Sequence, residues 1–408
     1  MINIKDNVND ELCSAAKKLR FKIFCLMFLG YIFFYFSRKS FTFMVPLMVN
    51  DLKITIYDIG LVNSIFYATY ALSKFLGGII SDASQSKNIM FIGLIFTGLC
   101  NIFIGLSSNI LVISIFWTIN AFFQGWGWPP ITKQLAHWYG KDERGFWWGL
   151  LSISHNIGGA IIPVVIGFLA LNFFWRINFY IIGLICVCVG IFFIIIIQSV
   201  SVNQIKCNTI KLVDYSNYRI LLNKHIFLLC LSYFLVYLVK TALNDWLILY
   251  MINQKEHTLL SASICIFYFE IGGIFGILLS GWLTDKIIKN RLLFLLVCIN
   301  ILFLFSVIFY NLPIGYKKIE QCVIFVLGFV IFTPQMLIGL ISSELVNKKI
   351  VCTVNGLVGS CGYIGASLAG YPISLLINLS WDVYFIIILI CEIVLLQVII
   401  ALIKESKK

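Results

Sequence analysis

"GYIFFYFSRK", residues 30–39, and "LSYFLVYLVK", residues 231–240, carry three polar side chains at one shared spacing. Tyr31, Tyr35 and Arg38 stand in the first stretch, and Tyr233, Tyr237 and Lys240 in the second, each pair 202 residues apart. A spacing of i, i+4, i+7 puts each trio on one face of a helix. Both stretches lie inside long apolar runs, where a charge costs about 2.5–3.5 kcal/mol even on the lenient insertion scale. A second correspondence, Asp82 after "GGIIS" and Asp285 after "SGWLT", has an offset of 203 residues. The chain therefore reads as an internal repeat whose halves each hold a cation within the membrane.

Composition supports the membrane reading. The 408 residues are 61% hydrophobic and 12% charged, with a mean hydropathy of +0.98, more apolar than a water-facing surface can carry. Apolar runs of spanning length fall at 24–48, 58–80, 89–107, 109–131, 145–169, 176–198, 225–251, 258–283, 292–311, 319–343, 350–376 and 381–403. They lack the alternation of barrel strands, so the expectation is an all-α membrane protein of twelve transmembrane helices. The segments on the N-terminal side carry about 21 Lys/Arg and the opposite ones about five, which places both termini in the cytoplasm. This bias accounts for the net charge of +12 and leaves no case for nucleic-acid binding. No cleavable signal peptide is expected.

The one long polar segment between spans, 199–224, divides the helices six and six. The expected organisation is a cytoplasmic tail at 1–23, an N-terminal half at 24–198, the linker at 199–224, a C-terminal half at 225–403 and a tail at 404–408. Two such halves, related by an axis along the membrane normal, are the architecture of the major facilitator superfamily, with substrate bound at the midplane between them. The thirteen cysteines lie mostly singly within apolar runs and read as packing residues, with no metal site, cofactor or disulfide framework implied.

Pseudo-symmetry sets the two trios across the central axis. Like charges about 10 Å apart repel by roughly 1.7 kcal/mol at an effective dielectric of 20, and an anion between them reverses that sign. Arg suits phosphate through paired N–H donors, Lys as a point charge, and tyrosine hydroxyls can donate to the remaining oxygens. Arg38 and Lys240 are thus read as a phosphate clamp; the alternative is ion pairing with Asp245 or Glu270. Lys39, about 100° around the helix from Arg38, is the better partner for those acids. Lys74 in "YALSKFLGG" either snorkels or touches substrate. His155 in "ISHNIGG" is a packing group or a phosphate donor. "FQGWGWPP", residues 123–130, reads as a kinked helix end, with a sugar platform from Trp126 or Trp128 as the alternative. The charges of "YGKDERG" are solvated or form gating ion pairs.

At these residues the chain resembles the organophosphate:phosphate antiporters. The resemblance runs from about residue 20 to 403 and is carried by "GYIFFYFSRKSF", "YALSKFLGGIISD", "NAFFQGWGWPP", "HWYGKDERG", "SHNIGGAIIPV", "NDWLILYM", "PQMLIGL" and "GYIGASLAG". It implies that Arg38 and Lys240 hold phosphate and that Lys74, His155, Tyr31, Tyr35, Tyr237 and Tyr363 line or adjoin the site. It also implies that Lys39, Asp245 and Glu270 form ion pairs used in opening and closing. "FFQGWG", "NDW" and "FTPQMLIG" are most similar to the hexose-phosphate sensor/transporter branch, and less so to the glycerol-3-phosphate branch. Two departures stand out: Lys240 replaces the family's usual Arg, and "SDASQSKN" keeps only Asp82, with a displaced Lys87, of a more basic signature.

The expected function is exchange of a sugar phosphate, above all a hexose 6-phosphate, for inorganic phosphate by a monomer in a bacterial inner membrane. A receptor reporting sugar phosphate to a sensor kinase is the rival from another class. Glycerol-3-phosphate exchange is a nearer one. A proton symporter would need Glu270 as its proton carrier, and no nucleophile–base constellation suggests an enzyme.

Overall fold

The computed structural model describes residues 2–53, 56–83, 86–172, 174–201, 223–347 and 349–406. Among them every regular element is a helix: α1 (Ile2–Leu52), α2 (Ile56–Ala83), α3 (Ser86–Leu106), α4 (Ile110–Gln124), α5 (Trp128–Trp138), α6 (Lys141–Asn172), α7 (Trp175–Ser201), α8 (Lys224–Asn253), α9 (Leu259–Lys286), α10 (Arg291–Asn311), α11 (Lys317–Glu344), α12 (Val351–Leu368), α13 (Tyr371–Leu379) and α14 (Trp381–Glu405). Most of the linker expected at 199–224 lies outside the described residues, as do 407–408 of the C-terminal tail. The N-terminal tail expected at 1–23 is helical from Ile2 and continuous with the first span.

Among the described residues the helices make twelve spans, two of them broken. The fourth is α4 followed by α5 and the eleventh is α12 followed by α13, where the apolar runs predict single helices. The first break falls at Gly125–Gly127, with Pro129 and Pro130 in the first turn of α5, where missing N–H groups cost nothing. The second falls at Ala369 and Gly370, with Pro372 in the first turn of α13. Pro334, by contrast, lies inside an unbroken α11.

Burial sorts the helices into a centre and a rim. In α11, 83% of the most apolar stretch is buried, and in α8 72%, against 33% in α7, α10 and α14. A helix that is apolar all round yet largely uncovered is a lipid-facing one. The central helices are also those that carry the polar side chains of the interior.

The halves meet along two seams, α2 against α12 and α6 against α9. A shift of 203 residues lays α2 on α9. The close approach is built the same way at both. A Cβ on Gly78 would sit 2.5 Å from the Cys352 carbonyl oxygen, and one on Gly281 would sit 2.6 Å from that of Gly145. One turn on, the matched aspartates tie the halves together. Asp82 accepts from Cys352 N (3.2 Å), Thr353 N (2.7 Å) and Thr353 Oγ1 (2.7 Å), capping the start of α12. Asp285 accepts from Phe146 N of α6 (2.7 Å) and from Arg291 Nη2 (2.9 Å). The basic residues absent from "SDASQSKN" are not needed for this cap; Lys133 instead donates to the Ser81 and Asp82 carbonyls (2.7 and 3.2 Å). In "YGKDERG", Glu143 pairs with Arg20 (2.9 Å) inside the N-terminal half.

Candidate functional site

Two adjoining cavities lie between the halves. The first is lined by Tyr31, Tyr35, Lys74, Trp128, Trp148, His155, Tyr233, Tyr237, Phe332 and Gln335, among others. The second is lined by Tyr35, Arg38, Lys39, Tyr67, His155, Tyr237, Lys240, Asn244, Asp245, Glu270 and Tyr363, with Thr241 and Ala366. Tyr35, His155 and Tyr237 belong to both and form the layer between them. The helix-face argument is therefore sound for both trios, and the structure brings Arg38 and Lys240 to one cavity. It does not gather all four expected phosphate ligands there. Lys74 lines the other cavity, and of these four only His155 faces both.

Arg38 is 8% exposed and has no carboxylate within ion-pair distance among the described residues. Its Nε donates to Gln124 Oε1 (2.8 Å) and its Nη1 to the Tyr363 hydroxyl of the other half (2.8 Å). The guanidinium lies 4.5 Å from the ring centres of both Tyr35 and Tyr70 and 5.8 Å from that of Tyr363. Aromatic faces compensate a cation without cancelling it. Nη2 is buried and has no hydrogen-bond partner.

Lys240 is partly buried and less firmly held. Its ammonium sits 4.1 Å from the centre of the Phe332 ring and 5.7 Å from that of Tyr237. Lys74, 3% exposed, has its ammonium 5.0 Å from the Tyr363 ring centre. Neither lysine has an ion pair among the described residues. His155 lies between Tyr35 (5.4 Å) and Phe332 (5.6 Å), and its buried Nε2 has no partner. The Tyr233 and Tyr237 rings meet at a tilt, 4.7 Å between centres, with their hydroxyls 3.5 Å apart, while Tyr31 meets Tyr35 (5.5 Å) and Trp128 (5.1 Å) at similar tilts.

Lys39, Asp245 and Glu270 share the Arg38 cavity, yet no ion pair among them is closed within 4 Å. Glu270 instead accepts from Asn156 Nδ2 of the other half (2.7 Å). Of the two tryptophans considered as platforms, Trp128 lines the first cavity; Trp126 packs on Phe122 and Phe123 outside it.

Sequence reading missed what stands behind Arg38. Ser37, Asn101, Asn120 and Gln124 are wholly buried and hydrogen-bonded to one another across α1, α3 and α4. The available signal was three amide side chains within apolar runs, two of them four residues apart on α4. Tyr70 and Phe332, which face the cations, carried no signal beyond aromaticity.

A family model, Major Facilitator Superfamily, matches residues 27–370. A probable hexose phosphate transport protein of Chlamydia trachomatis is 39% identical over 97% of this chain and 93% of its own length. The membrane sensor protein UhpC of Escherichia coli is 36% identical over 93% and 90%, and a glycerol-3-phosphate transporter of Bacillus subtilis 29% identical over 88% and 86%. The crystal structure of the transporter FucP in its outward conformation superposes with a TM-score of 0.75 over 93% of this chain and 98% of that one; at 14% identity this speaks for the fold alone. The repeat, the twelve spans, the two seams and these relatives agree: the chain belongs to the Major Facilitator Superfamily, in its organophosphate:phosphate antiporter branch.

Proposed function

We propose that the protein exchanges a sugar phosphate, above all a hexose 6-phosphate, for inorganic phosphate by alternating access about Arg38 and Lys240. The observation that carries this reading is the buried Arg38 guanidinium, with one amino group unpaired and no carboxylate within ion-pair distance among the described residues, although Asp245 and Glu270 line the same cavity. A buried, uncompensated cation is costly unless a ligand completes it. A phosphate monoester, with a second pKa near 6, brings between one and two negative charges to that place. Arg38 Nη2 and the Lys240 ammonium bind the phosphoryl oxygens, with His155 and the Tyr35 and Tyr237 hydroxyls adding donors around them. Lys74 serves the same anion from the neighbouring cavity. Trp128, Tyr31 and Tyr233 offer flat apolar faces for a sugar ring.

Exchange, rather than one-way transport, follows from charge. Without an anion, closure brings two cations together in low dielectric; with one, the attraction offsets that repulsion. The empty carrier is thereby slow to reorient. Lys39 with Asp245 and Glu270 forms the ion pairs that close the clamp's cavity as the halves rock. Both termini face the cytoplasm of a bacterial inner membrane, on the strength of the Lys/Arg bias, and the monomer is the working unit.

The test is uptake of labelled phosphate into proteoliposomes with and without internal phosphate. Uptake that needs internal phosphate and is displaced by glucose 6-phosphate before glycerol 3-phosphate supports the reading; uptake indifferent to internal phosphate overturns the exchange. The likeness to UhpC, a membrane sensor by its name, favours one other reading, a receptor for external hexose phosphate that signals through a partner kinase. Tight binding of glucose 6-phosphate without exchange is its signature.

A further inference from the structure

Arg38 is oriented by a neutral side-chain amide, where charged groups inside membranes pair with one another or with backbone carbonyls. Gln124 Oε1 accepts from Arg38 Nε at 2.8 Å. The other end of that amide donates to Asn120 Oδ1 (2.9 Å) and to Ser37 Oγ (3.4 Å). Ser37 Oγ also receives Asn120 Nδ2 (3.3 Å) and Asn101 Nδ2 (2.6 Å), and Asn101 Nδ2 reaches the Thr97 carbonyl as well (2.7 Å). Gln124 Nε2, committed to Asn120 Oδ1, leaves Oε1 facing Arg38.

The internal repeat shows that packing alone does not require these groups. "FFQGWGWPP", residues 122–130, lies in register with "FVLGFVIFT", residues 325–333: Phe122 matches Phe325, Gly125 matches Gly328 and Trp126 matches Phe329. In that register Gln124 falls on Leu327 and Asn120 on Val323, and the 202-residue offset of the trios lays Ser37 on Val239. All three counterparts are buried apolar side chains. At these matched sequence positions the C-terminal half carries hydrocarbon and the N-terminal half an amide network, although the N-terminal span breaks just after Gln124 and α11 runs on unbroken. A buried polar network is costly where hydrocarbon serves equally well.

We propose that Gln124 is a positioning residue for the anion site, and that the Ser37–Asn120–Asn101 chain holds its amide oxygen on Arg38. A neutral acceptor fixes the guanidinium plane and leaves its whole positive charge for the anion; a carboxylate at the same place would fix the plane and cancel the charge. This rests on Arg38 being the phosphate anchor.

The experiment is phosphate–phosphate exchange in proteoliposomes, with thermal unfolding of the same preparations, for wild type, Gln124→Glu and Gln124→Met. Gln124→Glu keeps size and acceptor, and gives Arg38 an ion-pair partner. The expected result is a rise of tenfold or more in the KM for phosphate with thermal stability held or increased. Gln124→Met, which loses the acceptor and keeps the charge, is expected to lose turnover more than affinity. A Gln124→Glu carrier with wild-type KM overturns the proposal, as does a parallel loss of stability and exchange in both variants. Should Gln124→Glu not fold, Ser37→Val introduces the residue found at the matching place in the other half. A rise of threefold or more in KM at unchanged stability supports the proposal, and an unchanged KM overturns it. If wild type binds inorganic phosphate without exchanging it, the exchange reading fails and binding constants of the same variants decide this inference. A wild type that neither exchanges nor binds phosphate overturns both.

Discussion

Arg38 and Lys240 stand at matching places in the two halves and are held in different ways. Arg38 has a hydrogen bond on each side, to Gln124 of its own half and to Tyr363 of the other, and tyrosine rings on its faces. Among the described residues Lys240 has no hydrogen bond or ion pair, and its ammonium lies against the rings of Phe332 and Tyr237. The N-terminal cation is a fixed fork; the C-terminal one is a point charge on a flexible stem. The two halves share their seams, while the side chains around the two cations differ; in the proposed reading that difference makes Arg38 the anchor. Lys240, at the place where the resemblance implies an Arg, therefore falls on the less supported side, where a fork has fewer built partners.

The comparison is broken most severely by exchanging the cations. Arg38→Lys retains charge but loses the bonds to Gln124 and Tyr363, and phosphate exchange is expected to fall about 100-fold or more, as for truncation of a buried hydrogen-bonded charge. Lys240→Arg is expected to keep exchange within about threefold of wild type and to bind phosphate no more weakly, since it adds donors. Equal losses in these two variants would contradict the anchor-and-partner picture. Tyr363→Phe removes one donor's partner across the halves and is expected to cost about tenfold to 100-fold in KM, the range of a hydrogen bond to a charged group.

The seams sharpen the comparison from the other side, because there the halves are alike. Gly78→Ala and Gly281→Ala each drive a methyl group into a carbonyl of the opposite half. Each is expected to destabilise by about 1–3 kcal/mol, the usual cost of overpacking, read as similar falls in Tm. Similar losses here, beside unequal losses at Arg38 and Lys240, would show symmetry kept in the scaffold and lost in the site.

Much of this was legible in the sequence. The trios and the paired aspartates gave the repeat, since a cation at i+7 from a tyrosine within an apolar run is rare enough to align on. Span number followed from run length. The two breaks were harder to read: "FQGWGWPP" signals a kink but not two separate helices, and at the second only Gly370 and Pro372 mark the place within a run of spanning length. The separation of Lys74 from Arg38 and Lys240 depends on how deep each side chain reaches between tilted helices, which spacing along one helix does not record. The amides behind Arg38 come from α3 and α4, and nothing in either run alone says that they face α1. What revealed them as special was the repeat itself, through the hydrocarbon at Val239, Val323 and Leu327.

The central claim is that an anion joins the halves through Arg38, and one measurement addresses it directly: uptake of labelled phosphate by phosphate-loaded proteoliposomes holding wild type or Arg38→Ala, with matched protein content and confirmed folding. The account predicts rapid uptake by wild type, displaced by glucose 6-phosphate, and uptake by Arg38→Ala no faster than by empty liposomes. Robust, displaceable uptake by the Arg38→Ala carrier would contradict it.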